Sequence, residues 1–121
     1  MKYSSLDPEA DRAAVPLTIH PDSNAAKRDH IVAVVARHTG VEVDAIMGPS
    51  RLEPIVVARH LAFLLAREIS DLNTVQLGSL FGRNHGTIIK GMTSIQDRLD
   101  TEPKLRATFA AIRQELELPA L

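Results

Sequence analysis

Apolar residues return every three or four positions through most of the chain, a spacing that predicts helices and no convincing strand. The first predicted helix runs from residue 24 to about His38. Asn24 suits its cap, Ile31, Val34, Val35 and His38 share an inner face, and Gly40 stops it. Val43 to Met47 form one short helical turn, ended by Gly48-Pro49. Pro54 fits a first helical turn. Ile55, Ala58, Leu61, Ala62, Leu65 and Ile69 then recur at helical spacing to about Ser70. That helix is apolar almost all round, which predicts a central position. A short helix follows from about Thr74, a good cap, to Phe81, and Gly82-Arg83-Asn84 makes a turn. Asn84 caps a helix from His85 to about Leu99, whose stripe is Ile88, Met92, Ile95 and Leu99. A last helix spans Pro103 to about Leu116, with Leu105, Phe109, Ile112 and Leu116 inward. The fold class is therefore all-α, with about six helices between residues 24 and 121.

Residues 1–23 differ. Pro8, Pro16 and Pro21 interrupt them, and four acidic residues face two basic ones. A flexible N-terminal tail is expected there; Val15–His20 could be a short extended segment, but Pro16 argues against it.

Residues 74–99 have the order that a helix-turn-helix requires. A capped short helix carries Gly78 at its middle, where a steeply crossing second helix leaves room for little more than a hydrogen. Leu77, Leu80 and Phe81 supply packing, and Gly82 permits a left-handed turn. The second helix opens with Asn84, His85, Gly86 and Thr87, small or polar residues ahead of the apolar stripe. Recognition helices place such N-terminal residues on base edges, and their free N–H groups favour phosphate. Spacing alone fits DNA binding and also fits two packed helices joined by a glycine turn.

Composition narrows the class. With 121 residues the chain is about one domain, by a prior of roughly 100–200 residues each. Aromatics are 3%, which argues against sandwiches, barrels and surfaces that stack on bases. The absence of Cys excludes disulfides, thiolate zinc sites and thiol catalysis. No apolar run exceeds six residues, against about twenty for a spanning helix, so no membrane association is expected. A cytoplasmic, nucleoid-associated location follows as the expectation. The net charge of −1 disfavours a DNA-binder at first sight. Its distribution removes that objection. Residues 51–95 carry five basic and three acidic side chains, whereas residues 1–26 carry two and four. Local field governs approach to DNA, and so thin an excess predicts a weak or strongly salt-sensitive binder.

The stretch from about His30 to Arg106 resembles the C-terminal DNA-binding domain of DnaA, the bacterial chromosomal replication initiator. Val34-Val-Ala-Arg-His-Thr-Gly-Val-Glu-Val-Asp-Ala-Ile-Met-Gly looks like its first helix, turn and short second helix. Ala58-Arg59-His60 through Arg67-Glu68 looks like its Ala/Pro-Arg-Gln helix, and Leu77-Gly78 through Phe81-Gly82-Arg83-Asn84-His85-Gly86-Thr87 looks like its signature. Asp100-Thr-Glu-Pro-Lys-Leu-Arg106 resembles its closing segment. The resemblance implies a compact, Trp-repressor-like helical fold and double-stranded DNA as partner, at sites related to initiator boxes. A protein partner from the replication or regulatory machinery is a further expectation; no cofactor or metal is implied.

It also implies roles. Arg51 matches a minor-groove arginine, where a narrow groove concentrates negative potential. Asn84, His85, Gly86 and Thr87 match base-contacting positions of the recognition helix. Arg59, His60, Arg67, Arg83 and Lys90 are the expected phosphate contacts. Departures accompany the matches. Only Gly82 stands where the family has two glycines, Asn84 replaces Asp, Gly86 replaces Thr, His60 replaces Gln, and Glu53 stands where a base is usual. Together these predict modest affinity or an altered preferred sequence.

Two other classes of function compete. A protein-interaction module that kept the fold and lost DNA would explain the near-neutral charge, Glu53 and the shortened turn. An enzyme is disfavoured. The five histidines lack metal-binding spacing, no Ser sits in a nucleophile elbow, and these residues hold no G-x-x-x-x-G-K-[ST] loop for ATP. The expectation is a DNA-binding regulator of replication initiation or transcription without ATPase activity.

Overall fold

The computed structural model describes residues 23–118, so all of the expected tail except Ser23, its Val15–His20 segment included, lies outside the described residues. The described residues form six helices and no strand. They are α1 (Asn24–Thr39), α2 (Val43–Met47), α3 (Glu53–Ser70), α4 (Thr74–Phe81), α5 (His85–Thr101) and α6 (Pro103–Glu115). No described helix is long and apolar enough to cross a membrane.

α3 is the centre, packing on α1, α2, α4 and α5. Ala58, Leu61, Ala62, Phe63, Leu65 and Ala66 are all buried along it. Ile88, Met92, Ile95 and Leu99 bury the stripe of α5, and Phe109 and Ile112 that of α6. The expected end positions are less deep: Ile55, Ile69, Leu105 and Leu116 are only partly buried. Val32 is buried although it lies off the expected face of α1, because α1 touches α3, α4 and α6 and needs a wider apolar surface.

Two caps fall one residue earlier than the spacing predicts. Ser23, not Asn24, caps α1 by accepting from the Ala26 N–H at 3.0 Å. Asn73, not Thr74, caps α4, and Gln76 returns a bond to the Asn73 N–H, closing a capping box. His38 does not join the core. It donates to Glu115 of α6 at 2.7 Å, and Arg37 pairs with the same carboxylate. These bonds hold the Glu115 carboxyl down to about 2 from its ordinary 4.5, first through Arg37 and then through His38. A carboxyl depressed by folding stabilises the fold above its ordinary pKa and loses that contribution as pH falls. The melting temperature is therefore expected to drop a little as pH falls from 4.5 towards 2, the pair being solvent-exposed. In Glu115→Gln that step should vanish; an unchanged pH profile would assign the drop elsewhere.

Candidate nucleic-acid interface

α4 and α5 meet at a turn with little freedom. Gly82 adopts the left-handed conformation at φ 67°, and the Arg83 N–H donates to the Gly78 carbonyl at 2.8 Å. The Arg83 carbonyl lies so close to Gly78 that a Cβ there would sit 2.4 Å from its oxygen. Gly78 thus holds the turn and the start of α5 against α4, so the crowding expected of the second helix falls on its entry turn.

Asn84 caps α5, its Oδ1 accepting from the Thr87 N–H at 2.8 Å. That bond uses one of the oxygen's two lone pairs, and the amide NH2 of Asn84 stays available as a donor. Gly86 lies against this cap, since a Cβ there would come 3.3 Å from Asn84 Oδ1. His85, Thr87 and Lys90 are exposed, Lys90 one turn beyond Gly86 and off the buried stripe. The first turn of α5 has no acidic residue. Residues 72–96 contain Arg83 and Lys90 and no carboxylate at all. Helix N-termini usually attract Asp or Glu because their N–H groups and dipole carry partial positive charge. The first turn of α5 is free of acid, as are those of α1, α4 and α6, and its end would favour an incoming phosphate. The second half of α5 is acidic and exposed at Asp97 and Asp100, so only the first half suits DNA.

Arg51 is exposed in the loop between α2 and α3. This loop is tied to the helix-turn-helix by the Arg83 guanidinium, which donates to the Gly48 carbonyl at 2.5 Å. The structure therefore brings Arg51 and Asn84–Thr87 onto connected segments.

Four expected phosphate contacts are placed differently, the first being Arg83, which is half-buried and engaged with the Gly48 carbonyl. Arg59 is 7% exposed, and its guanidinium turns inward to the carbonyls of Ile46 (2.7 Å), Ser50 (2.9 Å) and Ala45 (3.1 Å). It closes the C-terminal end of α2 and is not available to solvent as a phosphate contact would be. His60 is half-buried, its ring packed on Gly91 and tilted against Phe63 at 5.7 Å between centroids. Burial, and then the charge of Arg59, push its pKa down, so it supplies no positive charge at neutral pH. Arg67 is exposed but lines a groove with Glu68, Asp71, Asp97 and Asp100. Glu53 also has a partner: Arg98 binds it at 2.9 Å while chelating Glu102. Leu52, which sequence reasoning did not single out, is 68% exposed beside Arg51; an apolar residue preceding Glu53-Pro54 carries no signal of that exposure.

The family model of the bacterial dnaA protein helix-turn-helix matches residues 28–95, more than half of the chain. The protein belongs to this family. Among curated relatives, the chromosomal replication initiator protein DnaA of Deinococcus radiodurans is 30% identical over 80% of this chain. Those of Chloroflexus aggregans and Roseiflexus castenholzii are 33% and 35% identical over 73% and 78% of it. The chain covers 21%, 19% and 21% of these three relatives, about a fifth of an initiator's length. The matched span contains α2, the Arg51 loop, α3, α4, the Gly82 turn and α5 as far as Ile95.

Proposed function

We propose that this protein binds double-stranded DNA sequence-specifically through residues 24–121, at sites related to initiator boxes, and regulates replication initiation or transcription at the nucleoid. The supporting observation is the carboxylate-free N-terminus of α5, with the Arg51 loop bonded to its entry turn. In this reading α5 enters the major groove end-on. His85, Thr87 and the Asn84 amide meet base edges, and Gly86 lets backbone approach closely. Arg51 enters the adjacent minor groove, and Lys90 meets a phosphate. Arg67 reaches a phosphate only at the border of the surface. The proposed role uses no ATP chemistry by these residues.

The test is fluorescence anisotropy with duplexes that carry or lack such a box, titrated at several salt concentrations. Tighter binding to the box and a steep loss with salt are expected. Arg51→Ala should weaken binding, and His85→Ala should cut discrimination by about 1–3 kcal/mol, the value of one good base contact. No binding at low salt removes the proposal. The second reading, a protein-interaction module, is favoured by the exposure of Val75 on α4 (62%) and Leu52 (68%). A salt-independent protein complex, with no salt-dependent DNA binding, would support it instead.

A further inference from the structure

Two arginines converge on the carbonyls of one short loop. Arg59 donates to Ala45, Ile46 and Ser50, and Arg83 to Gly48, so residues 45–50 are held from both sides. Burial, and then the charge of the Arg83 guanidinium, lower the pKa of Arg59. Placing like charges together is unfavourable unless both are engaged. Here carbonyl dipoles, including those at the C-terminal end of α2, face them. The base of Arg83 is itself rigid, because its N–H is bonded to Gly78 and its carbonyl is wedged against the same residue. Leu52 adds to the stiffness of the loop by donating its N–H to the Ser50 hydroxyl at 3.2 Å.

We infer that Arg83 and Arg59 are positioning residues that lock the α2–α3 loop to the helix-turn-helix turn. Arg51 and the start of α5 then approach DNA as one rigid two-pronged unit. The inference rests on the DNA-binding reading for its consequence and on protein geometry alone for its mechanism. Arg83 acts on DNA through Arg51: without the strut, the Arg51 prong must be ordered at the moment of binding, which weakens it. Had Arg83 acted as an independent phosphate contact, its effect would be separable from that of Arg51.

Hydrogen exchange on the free 121-residue chain tests the mechanism. In Arg83→Met, exchange at the bonded amides of Gly48 and Leu52 should speed up about tenfold or more, as local opening becomes easier. Exchange there should be unchanged in Arg51→Ala. Unchanged exchange in Arg83→Met overturns the strut, whatever the DNA result. A double-mutant cycle on box-containing duplex tests the consequence. Arg51→Ala should weaken wild-type binding about tenfold and the Arg83→Met variant less than about twofold. Equal factors in both backgrounds overturn the coupling. If wild type binds no DNA, the DNA reading falls and the exchange result still decides the strut. Should Arg83→Met fail to fold, Arg59→Lys, which keeps the charge but loses the three-carbonyl fork, takes its place in both arms.

Discussion

Replacing Gly78 with Ala is expected to destabilise the protein by about 1–3 kcal/mol, the usual range for forcing an extra carbon into a packed site. In an exposed helix the same change would stabilise by about 1 kcal/mol. The sign reverses because the new Cβ would lie 2.4 Å from the Arg83 carbonyl oxygen and 3.4 Å from Asn84 C and His85 N. All three are backbone atoms, so no side chain can rotate away and the turn itself must shift. The melting temperature should fall by roughly 4–8 °C for each kcal/mol lost in a domain of this size. DNA binding should fall further than stability, by about tenfold or more, because recognition geometry tolerates only about 0.5 Å of displacement. Gly82→Asn supplies the contrast. Gly82 needs its positive φ of 67° but a Cβ there meets nothing within 4 Å. Asn tolerates the left-handed region, so that change should be mild. Equal, small effects at both positions in thermal melts and anisotropy would show that α4 and α5 are not clamped at Gly78.

That contrast also shows what the sequence could reveal. Gly78, Gly82 and Asn84 were legible because their demands are local: a close approach to the turn, a left-handed residue and a cap, all within seven residues. The two displaced caps fail for a local reason as well. Ser23-Asn24 and Asn73-Thr74 each place two competent capping residues side by side. At the second, Gln76 stands three residues after Asn73 and completes the box only from there; that spacing was the signal available.

Arg59, His38 and Glu53 were not legible, and distance along the chain is the reason. Arg59 bonds carbonyls 9 to 14 residues upstream, His38 finds Glu115 77 residues on, and Glu53 meets Arg98 45 residues on. An arginine in an apolar helix looks solvated or DNA-bound until a helix end is seen to stop against it. The resemblance to the initiator domain located the loop and turn, while the structure decided which arginines face outward. The low net charge takes on a different meaning too. Of the five basic residues in 51–95, Arg59 and Arg83 are engaged with carbonyls and Arg67 borders acids, leaving Arg51 and Lys90 as the outward cations near α5. On the proposed DNA reading, two outward cations would give a shallow affinity reserve, which puts more weight on geometry.

Geometry at this site depends on one aromatic side chain. Phe63→Ala is expected to cost about 3–5 kcal/mol, the range for emptying a buried phenylalanine site. Phe63 is fully buried on α3 and meets Phe81 of α4 edge-on, with ring centroids 5.0 Å apart. It also touches His60, and its ring edge would lie 3.0 Å from a Cβ at Gly91 of α5. One ring thus joins the central helix to both helices of the helix-turn-helix. The described residues include only three Phe, all buried, so no other aromatic is at hand to fill the space. Against a typical total stability of about 5–15 kcal/mol, this loss should leave a measurable unfolded fraction at growth temperature. Urea denaturation should show a lower midpoint with an unchanged slope, the mark of lost stability without a changed denatured state. Phe63→Leu keeps most of the volume and should cost markedly less. If Phe63→Ala cost under about 1 kcal/mol, α4 and α5 would have to collapse around the void, and the helix-turn-helix would not be the rigid unit that the two-pronged DNA approach requires.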